Sequence, residues 1–215
     1  MAQEDTLTRA GLRTPKAAAV AGIVFSVLLI VIFGLVRMSV PGNPLEPGAW
    51  LATHSAPVAV ALNLVPFAGI SFLWFIGVLR DRLGAREDRF FATVFFGSAL
   101  SFLGMLFAAS AVVGAIVVTA SVEPDEMINS VTFRFARTVA YNLMNVYAIK
   151  MAGVFMISTS TVALYTGIVP RWIAIVGVAL ALIILLGSYY IPWSFMVLPA
   201  WVLLTSVYIL RENLR

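Results

Sequence analysis

The chain has no cysteine and a single histidine, His54, among its 215 residues. The lack of cysteine excludes disulfides, thiolate catalysis and cysteine-ligated metals, and one histidine excludes a two-histidine haem and a zinc site built on several histidines. The sequence also has no glycine-rich phosphate loop, no G-x-S-x-G turn and no acidic pair within an apolar stretch. We therefore predict no cofactor and no metal, and enzymatic activity is the least favoured class of function.

Charge is equally scarce. Only 11% of the residues are charged and 61% are hydrophobic, whereas about a quarter of a soluble domain is charged. Six apolar stretches match the thickness of a bilayer, and a helix satisfies every backbone group there. These stretches cover residues 17–36, 57–79, 90–120, 146–170, 172–187 and 191–210. The sequence thus predicts an all-α integral membrane protein, a bundle of six transmembrane helices forming one domain over residues 17–210.

The basic residues predict the orientation of this bundle. Ten lysines and arginines lie before span 1, between spans 2 and 3, between spans 4 and 5 and after span 6, and only three lie in the alternate connections. This excess favours cytoplasmic tails at residues 1–16 and 211–215. The basic residues form no aromatic-interleaved patch, so nucleic acid is not an expected partner. The 12 arginines against 2 lysines are typical of a GC-rich bacterial genome, which favours a multi-pass protein of the bacterial inner membrane, that is, the plasma membrane.

Small residues recur along three spans, and small residues let helices approach closely in lipid. The recurring positions are Gly97, Ser101, Gly104, Ala108, Ala111 and Ala115 in span 3, Ala18, Gly22 and Ser26 in span 1, and Ala174, Gly177, Ala181 and Ser188 in span 5. We interpret these stripes as packing seams inside the bundle. A face for association with a second copy would look the same in the sequence.

Span 2 carries a proline and an amide in its outer half. Pro66 removes a backbone donor, so a kink is expected near residues 62–66. Asn63 would then bond to the freed backbone, or alternatively face a substrate. Trp74 lies deeper and is expected to pack. His54 and Pro57 before the span have the pattern of a helix start.

The segment 130–145 before span 4 is predicted to be an amphipathic, basic helix. Arg134 and Arg137 share one face with several polar residues, and Phe135 lies on the other face. Such a segment either lies in the outer headgroup layer or continues span 4 outward. The alternative is that both arginines line a vestibule that accepts anions.

Past Asn145 the polar residues change side and form a second stripe down span 4. Its members are Tyr147, Lys150, Ser158, Thr161 and Tyr165. Ser158 and Thr161 can bond to carbonyls of their own helix. Lys150 is the one charge within the six spans, and no span contains a carboxylate to neutralise it. Because an intramembrane charge is costly, it either reaches the headgroups, pairs with a loop carboxylate or binds a ligand.

The connection between spans 2 and 3 contains a short motif. Residues 77–86 read G-V-L-R-D-R-L-G-A-R, which is similar to the G-x-L-x-D-R-x-G-x-R loop of the major facilitator superfamily. This resemblance implies that Asp81 and Arg82 fasten a cytoplasmic gate, in a cytoplasmic loop that also contains Arg86. Because members of that family have about twelve spans in two halves, it also implies that the chain dimerises.

The favoured function is interaction. We expect an accessory or assembly subunit of a larger membrane complex, in contact with the bilayer and with other subunits or with itself. The alternative is a small transporter or a protein that binds lipids or small molecules. Its site would open outward around Lys150, Tyr147, Asn63 and Ser158.

Overall fold

A computed structural model describes residues 15–83, 89–122, 124–167, 169–188, 191 and 193–212, and these residues form helices and no strand. The helices are α1 (Pro15–Ser39), α2 (Trp50–Leu83), α3 (Arg89–Val122), α4 (Pro124–Ile128), α5 (Val131–Asn142), α6 (Ile149–Thr166), α7 (Arg171–Gly187) and α8 (Val197–Glu212). A π-helical segment, Leu143–Ala148, joins α5 to α6, and a 3₁₀ turn, Ser194–Met196, precedes α8. The all-helical class predicted from the sequence is confirmed.

Among the described residues, five helical runs are long and apolar enough to cross a membrane. They are Ala17–Ser39, Trp50–Arg80, Ala92–Val122, Val131–Tyr165 and Ser194–Glu212. The sixth apolar helix, α7, has 17 residues and is therefore about 26 Å long, slightly less than the hydrocarbon core of about 30 Å. These lengths and compositions indicate a membrane protein whose apolar helices contact the bilayer.

The core lies where the long helices cross. Helix α1 packs against α2 and α8, α3 packs against α2 and α6, and α6 packs against α7. Five phenylalanines, at positions 25, 72, 95, 102 and 155, fill the centre and are almost fully buried. The ring of Phe72 lies 4.5 Å from that of Phe25 and 5.3 Å from that of Phe155. Side chains of this size are large enough to join three helices across one layer.

Two smaller clusters define the ends of the bundle. At one end, here called the Trp50 end, Trp50, Ile116, Met127 and Phe133 pack together. At the opposite end, called the Ala19 end, Ala19 packs with Val169, Ile173 and Ile209. Because Ala19 and Ile209 belong to one cluster, the first and last helices begin and end on the same side of the bundle.

The backbone of α2 breaks at a different place from the one expected. The non-helical residue is His54 (φ −131°, ψ 21°), whereas residues 62–66 stay within the helix. The kink expected near residues 62–66 remains a prediction. Pro57 explains the break, because its ring opposes the carbonyl four residues earlier and disfavours helical geometry just before it. The helix start predicted at His54 and Pro57 is confirmed. Trp74 does not pack inside, since 62% of its surface is exposed.

The segment 130–145 is continuous with the helix of span 4. Residues 131–166 form an unbroken helical run through α5, the π segment and α6. Ser130 begins this run as its N-cap and accepts a hydrogen bond from the Phe133 amide at 3.0 Å. Of the two placements expected for this segment, the continuous helix is therefore the one present.

Candidate functional site

Lys150 lies beside the C-terminal end of α7. Its Nζ donates hydrogen bonds to the carbonyls of Ile184, at 3.4 Å, and of Leu185. The last four carbonyls of a helix have no partner within the helix, and a cation is favoured at that end of the helix dipole. Lys150 therefore caps a neighbouring helix and lies only partly buried.

A π-helical segment sets the direction of Lys150. The Ile149 amide bonds to the Met144 carbonyl, five residues earlier, which adds a residue to the turn and rotates everything that follows. The sequence indicates this rotation, because the polar residues move to a different face of the helix after Asn145. Without the extra residue, Lys150 would lie about 100° away on the helix surface.

We expect Lys150→Met to lower the free energy of unfolding by about 1–2 kcal/mol, because hydrogen bonds from a charged donor to the α7 carbonyls are lost. Thermal unfolding in detergent measures the change. Lys150→Arg is the matched control, since a guanidinium still donates to carbonyls. A Lys150→Met variant that unfolds like the parent but loses a bound ligand would instead support a ligand site.

Arg137 anchors the connection between α1 and α2. It is 6% exposed, and it donates hydrogen bonds to the carbonyls of Pro41, at 2.6 Å, and of Glu46, at 2.8 Å. Its guanidinium also lies 6.0 Å from the ring of Phe133. Because Nη1 and Nη2 each donate to a backbone carbonyl of this connection, Arg137 has a structural role: it holds the connection against α5.

Arg134, one turn before Arg137, is exposed. Its carbonyl accepts a bond from Thr138 at 2.8 Å. The two arginines therefore occupy different environments, although the sequence grouped them on one polar face. The buried residues of α5 are Phe133, Arg137 and Ala140, so the face turned inward combines an aromatic, a cation and a small residue.

The other candidates on the span 4 stripe are dispersed. Ser158 is buried and bonds to the Val154 carbonyl of its own helix at 3.0 Å. Thr161 is half-buried, whereas Tyr147 and Tyr165 are exposed. The structure therefore spreads the stripe over a buried and an exposed side of α6.

Asn63 is not brought to Lys150. It lies on the exposed face of α2, and its Nδ2 donates to the Ala59 carbonyl at 2.8 Å. The carbonyl deprived of its donor by Pro66 belongs to Leu62, so Asn63 does not bond to the freed backbone as expected. The four residues expected around an outward site therefore point in separate directions.

The motif between spans 2 and 3 begins within α2. Arg86 lies outside the described residues, and Asp81 and Arg82 belong to the last turn of α2, where only the backbone is described. Their gating role remains a prediction from the resemblance.

Sequence reasoning missed a group of buried polar side chains toward the Ala19 end. Ser160, Trp201 and Ser206 are buried, and their Oγ and Nε1 atoms have no hydrogen-bond partner among the described residues. Ser160 Oγ and Trp201 Nε1 both lie close to the Cα of Gly177. Ser160 and Trp201 sit where α6, α7 and α8 meet, whereas Ser206 lies against Gly22 of α1. The signal in the sequence was hydroxyls within apolar spans.

A small apolar pocket lies beside this group. Phe75, Leu79, Phe95, Trp201 and Thr205 are among its lining residues, and its volume is about 30 Å³. That space holds one or two water molecules and is far too small for a lipid or a sugar. Lys150 does not line it.

The three small-residue stripes have different outcomes. The stripe of α1 (Ala18, Gly22, Ser26) is buried, and so is that of α7 apart from half-buried Ser188, which confirms both as packing seams. The stripe of α3 is exposed at all six positions, Gly97, Ser101, Gly104, Ala108, Ala111 and Ala115. Cβ atoms added at Gly97 or Gly104 would meet nothing within 4 Å. The expectation that this third stripe packs inside the bundle is therefore wrong.

No protein-family model, no curated protein and no solved structure matches this chain. The resemblance of residues 77–86 to the major facilitator superfamily is therefore not extended by a family match.

Proposed function

We propose that the protein acts by interaction, as an accessory or assembly subunit of a larger membrane complex. The observation that carries the proposal is the uncovered small-residue face of α3. Its six members repeat every seven residues in two rows, 97, 104, 111 and 101, 108, 115. A seven-residue repeat is the spacing of a left-handed helix pair, and small residues permit the close contact on which helix association in lipid depends.

The contrast with α1 and α7 supports this function. Their small residues are covered by neighbouring helices, with Ser206 and Phe75 against Gly22 and with Trp201 against Gly177. Two of the three small-residue stripes are thus covered by helices of the same chain. The third, on α3, is uncovered over about 27 Å. A transmembrane helix of another subunit fits such a face.

The same proposal includes the placement in the membrane. We propose that all six apolar helices cross, with both termini in the cytoplasm of a bacterial cell and the protein in the inner, plasma membrane. The ten-to-three distribution of basic residues supports this orientation. In this frame the Trp50 end is the outer end and the Ala19 end is the cytoplasmic end.

The rival function, a small transporter or ligand-binding protein with an outward site around Lys150, requires a different side-chain arrangement. Lys150 would have to leave the carbonyls of Ile184 and Leu185 and turn toward a cavity. Asn63 would also have to rotate from the exposed side of α2. Since neither arrangement is present, the contacts favour the interaction proposal.

We expect Gly104→Leu to abolish recovery of a partner subunit in affinity purification from mild detergent, because a leucine would hold the partner helix away from α3. The folded chain should tolerate the change, since the site is open. Ala179→Leu is the matched control, because Ala179 is an exposed small residue on α7 outside the stripe. Repeated recovery of the parent chain with no partner above background would contradict the proposal.

A further inference from the structure

The exposed side of α2 carries a second regular seam. Its positions alternate by four and three residues, and they are Ala56, Val60, Asn63, Phe67, Ile70, Trp74 and Gly77, all of them exposed. Val60, Phe67, Ile70 and Trp74 are each more than half exposed. A 3.5-residue repeat keeps one stripe facing a partner along the whole helix, which is the pattern of the a and d positions of a coiled coil.

Asn63 is the polar member of this seam. Its Nδ2 donates one hydrogen bond to the Ala59 carbonyl at 2.8 Å. An asparagine amide has a second N–H and a carbonyl oxygen with two lone pairs, and no further bond from Asn63 is present among the described residues. It lies near the middle of the helical run Trp50–Arg80, where lipid offers no partner for these groups.

An amide is its own complement, because it contains both a donor and an acceptor. Two copies inserted in one membrane with the same orientation have parallel α2 helices, so a two-fold axis along the membrane normal places Asn63 opposite Asn63. The four-residue step from Ala56 to Val60 and the three-residue step from Val60 to Asn63 place Asn63 at a d position. Like an a position, it lies on the contact line between the two helices, so pairing of the two Asn63 amides favours a single register. A lipid tail cannot bond to the amide, and an unrelated helix would need a matching polar group at the same depth.

We propose that α2 is the contact surface between two copies of this chain, held in register by reciprocal Asn63 hydrogen bonds. This surface is distinct from the small-residue face of α3. The protein would therefore be a homodimer whether or not another subunit is bound to α3.

Disulfide cross-linking tests the proposal directly, because the chain has no cysteine of its own. Ile70→Cys lies on the seam and retains Asn63, so copper-phenanthroline oxidation of membranes should yield a dimer of this chain. Val24→Cys is the matched control, because Val24 is exposed on α1 rather than on the α2 seam, so this chain should still dimerise but should not be cross-linked. Cysteines cross-link only where their Cα atoms come within about 7 Å.

A second substitution tests the amide. In the Ile70→Cys chain, Asn63→Leu should weaken dimerisation by about 10- to 1,000-fold, because it removes two reciprocal hydrogen bonds between transmembrane helices and each is worth about 3- to 30-fold. Asn63→Gln, which keeps an amide, should restore most of the cross-linking. The fold should be unaffected, since Asn63 is exposed, and thermal unfolding verifies this.

Three results would overturn the proposal: no dimer at position 70, equal cross-linking at positions 70 and 24, or no effect of Asn63→Leu. A cross-link from position 70 to a different protein would also overturn it and would assign the seam to another subunit. Gly104→Leu separates this inference from the proposed function, because it should remove the partner while leaving the position 70 dimer intact.

Discussion

Arg137→Met is expected to lower the free energy of unfolding by about 2–4 kcal/mol and to release the connection between α1 and α2. The carbonyls of Pro41 and Glu46 would lose their charged donor while methionine fills a similar space. Charge-assisted hydrogen bonds contribute about 1.5–3 kcal/mol each, and the expected loss is smaller than the sum of two because Pro41 is half-buried and Glu46 is exposed, so water partly replaces the lost donor. Denaturant or thermal unfolding measures the first effect.

The composition of the connection between α1 and α2 explains why it depends on a hydrogen-bond donor from another helix, the Arg137 guanidinium. Residues 40–49 include three prolines, at positions 41, 44 and 47, which have no N–H to donate. Within the segment, Leu45 bonds to the Asn43 side chain at 3.0 Å and Gly48 bonds to the Ile128 carbonyl at 3.3 Å. Arg137 holds the connection at two further points, so hydrogen exchange of residues 42, 43, 45 and 46 should accelerate in the variant.

Arg134→Met is the matched control, because Arg134 is exposed on the same helix and carries the same charge. Its unfolding free energy should change by less than about 0.5 kcal/mol. Arg137→Lys should be intermediate, since an ammonium group does not reproduce the planar fork that reaches both carbonyls. If both substitutions lower the free energy of unfolding equally, the net charge of α5 stabilises the fold, and the hydrogen bonds from Arg137 to the connection do not.

The class of the protein and the approximate positions of its helices could be predicted because hydropathy acts on whole spans. The apolar stretches 17–36, 57–79 and 90–120 each fall within one of the helices α1, α2 and α3. The helix start at Pro57 was predictable for a similarly local reason, since proline restricts the residues just before it. The environment of an individual side chain depends instead on which neighbouring helix covers it.

Lys150 and the α3 stripe illustrate this limit. The cost of an intramembrane charge was predictable from the sequence, but the α7 carbonyls that accept its hydrogen bonds are 34 and 35 residues away in the chain. The stripes of α1, α3 and α7 have the same composition, yet only the one on α3 is uncovered. Small residues indicate that a helix approaches closely at that position, but the pattern is the same whether that helix belongs to the same chain or to another one.

Gly177→Ala is expected to lower the free energy of unfolding by about 1–3 kcal/mol, the usual cost of overpacking a core. A Cβ at this position would lie 2.2 Å from Ser160 Oγ, 2.5 Å from Trp201 Nε1 and 2.8 Å from Trp201 Cε2. The Ser160 hydroxyl can rotate away from the added methyl group. The Trp201 ring cannot, because it is 2% exposed and held between α6, α7 and the core, so α7 itself must shift. Thermal unfolding in detergent measures the loss.

Gly104→Ala is the matched control for this prediction, because the same substitution should change the free energy of unfolding in a different direction at Gly104 than at Gly177. A Cβ at Gly104 would meet nothing within 4 Å, and alanine is favoured over glycine in a helix by up to about 1 kcal/mol. The same substitution should therefore destabilise the chain at Gly177 and leave it unchanged or slightly more stable at Gly104. Adding Trp201→Phe to Gly177→Ala removes the ring atoms that the methyl group would contact, so part of the lost stability should return. If Gly177→Ala is as stable as Gly104→Ala, the close contact between α7 and Trp201 is not present in the folded protein.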